Sequence, residues 1–292
     1  MLQQTRAQAV IPYYQRFLDR FPSVEVLASA AEQDVLALWA GLGYYSRARN
    51  LRRAAQQVVE AGGFPHDYAA IRALPGIGDY TAAAIASIAF GLPHAVVDGN
   101  VLRVVARMEN DSADIAAART RERFRTIVRR WMGTSPPGVF NQALMELGAT
   151  VCLPAKPLCR DCPLASRCRA LQAGTVAQLP VKLRRTEPVE IAAVLFLVRR
   201  GDRVLLRQIE AGARRMAGFW ELPGQGELTR ARPGKIWGEF RHTITHHRYT
   251  FTLRTATARA PGPEFRWFSA EEMAAIPLST TARKALRLAG IL

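Results

Sequence analysis

Leu74-Pro75-Gly76-Ile77-Gly78 joins two helical patterns, residues 67–73 and 79–90. The two glycines allow a tight turn with no side chains over it, so backbone N–H groups point outward at the start of the second helix. That geometry binds a phosphate oxygen without reading a base. The alternative is an ordinary packing corner between helices. Twenty residues after Gly78, Val96-Val97-Asp98-Gly99-Asn100-Val101 places an aspartate at another helix start. Taken alone, Asp98 reads first as an N-cap, with a functional carboxylate as the alternative.

Around this hairpin the periodicity is helical from about residue 5 to about residue 150. Leu51, Ala54, Ala55, Val58 and Val59 fall at i, i+3, i+4, i+7 and i+8, with Arg47, Arg49, Arg52 and Arg53 on or near the polar side. Further helical patterns cover 7–21, 32–40, 120–131 and 139–149, and Ser135-Pro136-Pro137 predicts a helix start with Ser135 as the capping hydroxyl. Residues 171–188 lose the period and carry Gly174, Pro180, Pro188 and the basic Lys182, Arg184 and Arg185, which predicts a linker. Beyond it the pattern turns to strands at 189–199, 204–206, 219–222, 246–257 and 266–268. Ser269-Ala270-Glu271-Glu272 is a capping box opening a short helix, and 281–289 closes the chain with another. The expected fold is a mainly α domain over 1–170, a linker over 171–188 and an α+β domain over 189–292.

All four cysteines, Cys152, Cys159, Cys162 and Cys168, lie at the end of the helical part in the spacing C-x6-C-x2-C-x5-C. Structural zinc usually pairs two short knuckles, and here only Cys159 and Cys162 qualify. A four-iron cubane presents its irons at corners several ångströms apart, so wide and unequal intervals suit an iron–sulfur cluster better, with zinc as the alternative. Lys156, Arg160, Arg167 and Arg169 offset the negative charge of such a cluster.

The chain has 292 residues, 49% hydrophobic and 22% charged, a globular mix long enough for two domains. Forty Lys+Arg against 24 Asp+Glu give a net charge of +16, which predicts a polyanionic partner, nucleic acid ahead of membrane. Only four of the basic residues are lysines, so Arg-rich composition drift is the bland alternative. No apolar run approaches the roughly 20 residues needed to span a bilayer. The opening residues lack a basic stretch leading into an apolar one, so neither a signal peptide nor a membrane partner is expected.

The LPGIG hairpin, VDGNV and the cysteine spacing, in this order, resemble the helix-hairpin-helix DNA glycosylases. Met1-Leu2-Gln3-Gln4-Thr5, the stretch GLGYYSRARNL at 41–51 and FNQALMELG at 140–148 narrow the resemblance to adenine DNA glycosylases of the MutY type. The resemblance implies removal of adenine mispaired with 8-oxoguanine or guanine in double-stranded DNA. Asp98 is then the catalytic carboxylate, and a [4Fe–4S] cluster sits in the 152–168 loop on Cys152, Cys159, Cys162 and Cys168. DNA and base contacts fall to Leu2, Gln3, Gln4, Thr5, Arg47, Tyr44, Tyr45, Gly76, Gly78, Tyr80 and Asn100. Gln4 and Tyr44 act as wedges, since flipping a base costs a few kcal/mol of stacking. A core role for Tyr44 and Tyr45 is the alternative. Lyase-competent relatives carry a lysine where this chain has Tyr80, so hydrolysis without strand cleavage is expected. A cytoplasmic, nucleoid-associated bacterial monomer is the accompanying expectation.

Within 189–292, GFWELPG at 218–224 and residues 267–281 resemble the Nudix-like domain of the same proteins. After Gly224 the run QGELTR lacks the carboxylate array that holds magnesium, so diphosphate hydrolysis is not expected. Phe240-Arg241-His242-Thr243-Ile244-Thr245-His246 resembles the loop with which the family recognises 8-oxoguanine, assigning that contact to Thr245 and His246. His242, His246 and His247 read as strand-end histidines rather than a metal site. In this family the general acid is a glutamate two residues before the methionine of MLQQT, which here is Met1. The expectation is therefore a true start further upstream, and a polypeptide that, as given, binds the lesion but excises adenine barely. A non-catalytic lesion-binding protein and an endonuclease III type glycosylase are the remaining alternatives.

Overall fold

The computed structural model describes residues 1–292 apart from 4, 6, 184–186, 211, 214–215, 229–230 and 259–261. Backbone contacts divide the chain into two units: Met1–Ala61 with Thr186–Leu292, and Gly62–Arg185. The expected segments 1–170 and 189–292 describe element content along the chain, whereas packing groups the first 61 residues with the C-terminal part.

The first unit begins with α1 (Ala7–Arg20), α2 (Val24–Ser29), α3 (Glu32–Trp39) and α4 (Ser46–Glu60). Ser23 caps α2, its hydroxyl accepting from Val26 N–H at 3.4 Å. The apolar stripe of α4 is rotated from its expected position. Ala48, Ala55 and Val58 are buried, while Leu51 and Val59 are exposed. The small alanines allow close approach to α2, and Arg52 donates to the Ala30 carbonyl at 2.6 Å. Phe17, Phe21, Leu36, Trp39 and Tyr45 form the core here, and Phe219 from the C-terminal part completes it.

The second unit holds α5 (Tyr68–Ala73), α6 (Asp79–Phe90), α7 (Gly99–Glu109), α8 (Ala118–Met132), α9 (Pro137–Glu146) and the short α10 (Arg169–Gln172). Pro136 rather than Ser135 is the N-cap of α9, and no side chain caps that helix. Pro137 at its first position has its φ preset for a helix and no N–H, so one of the four unpaired amides of the helix start is absent. A π-helical turn, Leu147–Val151, continues α9. The expected linker is packed through its first half. Leu179 is buried, the Ile115 amide donates to Val181 O at 3.0 Å, and Arg107 donates to Val176 O and Leu179 O. Arg184 and Arg185 lie outside the described residues.

The C-terminal part of the first unit contains β1 (Val189–Leu197), β2 (Arg199–Arg200), β3 (Arg203–Gln208), β4 (Trp220–Glu221), β5 (Arg232–Ile244), β6 (His247–Thr257) and β7 (Phe265–Phe268), then α11 (Ala270–Ala274) and α12 (Thr280–Leu288). One sheet runs β1-β6-β5, with β1 parallel and β5 antiparallel to β6, and β3 pairs with β2, β4 and β7 in the other. Leu195, Leu206, Leu222, Leu253 and Phe268 fill the core with Leu286 of α12. The Ser269–Glu272 capping box forms as expected. The sequence pattern missed β5, because glycines and register shifts between Pro233 and Gly238 interrupt its alternation. Phe240–Ile244 is consequently strand rather than loop, and only Thr245 and His246 form the two-residue turn to β6. Among the described residues no helix is long and apolar enough to cross a membrane.

Glu221 in β4 carries a thermodynamic cost. Burial pushes its carboxyl up to about 7, although the Ser279 and Thr281 hydroxyls and the Leu222 amide all donate to it. A carboxyl raised above its unfolded value binds its proton more tightly when folded, so stability falls as pH rises from about 4.5 to 7. Glu221→Gln removes that cost. Denaturant unfolding should show the variant more stable than wild type by about 3 kcal/mol at pH 7.5, the gap closing below pH 4.5. A gap independent of pH would refute the assignment.

Candidate active site

In the second unit Asp67 caps α5 by accepting from Ala70 N–H at 2.9 Å. The chain turns at Gly76, φ +78°, a left-handed conformation that glycine adopts without strain. Gly78 is the N-cap of α6, and no side chain caps that helix. A Cβ added at Gly78 would meet nothing within 4 Å. The hairpin therefore presents open backbone at a helix N-terminus, where a phosphate oxygen is favoured.

Asp98 is the N-cap of α7. Its Oδ1 accepts from Val101 N–H at 2.7 Å and its Oδ2 from the Asn100 amide at 3.1 Å. The cap role read from sequence is thus real, and it fixes the carboxylate at the positive end of the helix. Tyr80, in the first turn of α6, donates its hydroxyl to Met145 Sδ at 3.7 Å, and partial burial followed by the Asp98 charge holds its phenol above the usual range.

Residues absent from the sequence reading hold this arrangement. Buried Asn141 donates to His94 O at 2.8 Å and accepts from Val96 N–H at 3.0 Å, fixing the segment that leads into Asp98. Arg103 donates to Asn100 Oδ1 at 3.0 Å, to Gly148 O at 2.6 Å and to Cys152 O at 2.7 Å, which ties the Asp98 cap to the cysteine loop. A Cβ on Gly148 would come within 2.7 Å of Asn100 Cβ, so that position needs glycine for the π-turn to approach α7. The available signal was two arginines four residues apart, Arg103 and Arg107, inside the apolar run of α7. In a helix such residues share a buried face and require acceptors.

The four cysteines line one cavity with Val104, Arg107, Leu147 and Leu158. Burial and then the neighbouring Cys152 and Cys168 push the Cys159 thiol up. Four thiols around one largely apolar cavity are the donor set that an iron–sulfur cluster takes. Arg107 supplies a cation, its Nη1 lying 3.3 Å from Cys152 Sγ.

The first unit carries the remaining predicted residues. Leu2 is 64% and Tyr44 49% exposed, and Gln3 and Thr5 are half-buried. Gln4 lies outside the described residues. Tyr45 must be corrected: it is buried, its ring 4.0 Å from Phe219 and its hydroxyl accepting from Gly41 N–H at 3.3 Å. Packing against a residue far along the chain consumes the ring, so it has no face left for a base. Arg47 is turned inward onto the carbonyls of Met1, Gln3, Leu42, Gly43 and Tyr44. Thr245, φ +56°, is exposed at the β5–β6 turn with His246 beside it, Oγ1 to Nδ1 3.4 Å.

Residues 1–130 match the HhH-GPD superfamily of base excision DNA repair proteins, and 193–288 match the NUDIX domain. The chain is 34% identical to the adenine DNA glycosylase of Mus musculus across 99% of its own length and 70% of that protein. The chain belongs to the adenine DNA glycosylase family. It is 33% identical to the Homo sapiens adenine DNA glycosylase, of which it spans 66%, and 32% identical to that of Buchnera aphidicola (strain Bp), of which it spans 73%. A solved thermostable thymine-DNA glycosylase superposes on 59% of the chain and 80% of its own, with 28% identity and TM-score 0.52. An endonuclease III–DNA complex, at 21% identity and TM-score 0.51, shares the fold over the same portion.

Proposed function

We propose that this protein hydrolyses the N-glycosidic bond of adenine paired with 8-oxoguanine, or with guanine, in double-stranded DNA, leaving the strand intact. The observation that carries the reading is the Asp98 carboxylate, held at a helix start by a backbone amide and a side-chain amide. Breaking the bond builds positive charge on the deoxyribose, and a carboxylate fixed beforehand offsets it with no reorganisation at the moment of reaction. Water completes the hydrolysis. Tyr80 offers no amine, so no Schiff base forms and the strand is not cut. The hairpin at Gly76 and Gly78 holds a backbone phosphate. Leu2 and Tyr44 fill the stack around the lesion, and Thr245 with His246 reads 8-oxoguanine. Cys152, Cys159, Cys162 and Cys168 would hold a [4Fe–4S] cluster, which supplies structural cross-linking of the loop. A monomer drawn to nucleoid DNA by its +16 net charge completes the reading.

Single-turnover assays on duplexes containing A:8-oxoguanine, A:G, A:T or thymine glycol test it. Excision is expected from the first two, with breakage only after alkali treatment of the abasic product. Strand cleavage without alkali, or preference for thymine glycol, would favour the endonuclease III type instead. Tight binding to A:8-oxoguanine without release of adenine would make the chain a lesion-binding protein.

A further inference from the structure

Arg47 sits at the meeting point of two segments in the first unit. Its Nη1 donates to Met1 O at 2.8 Å and to Gln3 O. Its Nη2 reaches Thr5 Oγ1 at 3.2 Å, Leu42 O at 3.2 Å and Gly43 O at 3.1 Å, and its Nε reaches Tyr44 O at 3.4 Å. The guanidinium also lies over the rings of Trp39, at 5.4 Å, and Tyr44, at 5.6 Å. All five N–H donors of the fork point at protein acceptors. Desolvation holds the group below its usual range, as befits a cation working inside the protein.

What it clasps is strained. Gly41 has φ +112°, Gly43 +69° and Tyr44 itself +48°, a left-handed conformation that glycine adopts freely and tyrosine only under constraint. Such a backbone persists only where its surroundings over-determine it, and Arg47 provides three of the carbonyl contacts in this loop. The same fork holds Met1, Gln3 and Thr5, so the exposed Leu2 and Tyr44 side chains are presented from backbone tied to one guanidinium.

We infer that Arg47 is a positioning residue for lesion discrimination: it locks Tyr44 together with Met1, Gln3 and Thr5 and acts through them, not on a DNA phosphate. The inference rests on the proposed adenine–8-oxoguanine activity. Lysine keeps the charge but has a compact ammonium in place of the planar fork, so it cannot span both segments.

The test compares wild type, Arg47→Lys, Arg47→Gln, Tyr44→Leu and the Arg47→Lys/Tyr44→Leu double variant. Thermal melting confirms folding of each. Both Arg47 variants should lower the ratio of excision rates on A:8-oxoguanine over A:G by tenfold or more. In the Tyr44→Leu background, Arg47→Lys should lower it by less than twofold further, since coupled residues are non-additive. The slope of log Kd against log salt for undamaged duplex should match wild type. A slope reduced by about 1 identifies a phosphate contact and overturns the inference. So does an unchanged ratio in Arg47→Lys, or additive losses in the double variant. A wild-type protein without preference for A:8-oxoguanine over A:G overturns the proposed function instead. If Arg47→Lys and Arg47→Gln both fail to melt cooperatively, Arg47 is a stability residue and the inference falls.

Discussion

Asp98→Asn should lose about 10³-fold in single-turnover excision of adenine opposite 8-oxoguanine while binding the same duplex within a few-fold of wild type. The substitution separates two roles that the structure combines in one side chain. As an N-cap, Asp98 satisfies the Val101 amide at 2.7 Å, and asparagine caps about as well as aspartate. The helix start should therefore survive, but the asparagine Nδ2 would face the Asn100 Nδ2 donor to donor, so that contact is lost and thermal stability falls by about 1 kcal/mol. What disappears is the negative charge beside the developing sugar cation. Enzyme in excess and long time courses make slow excision countable. Excision within tenfold of wild type would show that Asp98 is a cap and nothing more, and the chemistry would need another carboxylate.

Arg107→Leu should cost about 3–5 kcal/mol of stability and lower the iron retained per purified chain. Arg107 is 2% exposed and donates to Val176 O, Leu179 O, Leu153 O and Pro154 O while its Nη1 lies beside Cys152 Sγ. Leucine fits the apolar surroundings but leaves those carbonyls without their donor, and each buried unpaired group costs about 1–3 kcal/mol. It also removes the cation nearest the sulfurs. Arg169→Ala is the control: Arg169 pairs with Glu109 at 2.7 Å, but its side chain is 66% exposed, so the loss should stay below about 1 kcal/mol. Equal effects from the two substitutions would contradict the role assigned to burial. Chemical denaturation and iron content measured on the same preparations give both readouts.

Much of the site was legible before any coordinates. The hairpin glycines, the cap at Asp98, the substitution of Tyr80 for a lysine and the cysteine spacing are short-range features, each set by a few neighbouring residues. Tyr44 and Tyr45 show where that legibility stops. Adjacent and chemically identical, they read alike in sequence, yet one is 49% and the other 6% exposed. Only the packing of Phe219 against Tyr45 decides which one faces outward. Arg47 looked like a surface cation for a related reason, since two of the carbonyls that absorb it, those of Met1 and Gln3, lie more than forty residues earlier.

Sequence alone was enough for the helices flanking the hairpin, the change from helical to strand periodicity near residue 189, the hairpin and the four thiols, because capping, turn formation and amphipathic period act over three or four residues. Tertiary structure alone decided that Met1–Ala61 packs with the C-terminal part, that β5 closes the sheet despite its broken alternation, and that Arg103 and Arg107 bridge α7 to the cysteine loop. Those outcomes depend on which apolar surfaces and buried donors meet across long stretches of chain, and local pattern carries no record of that choice.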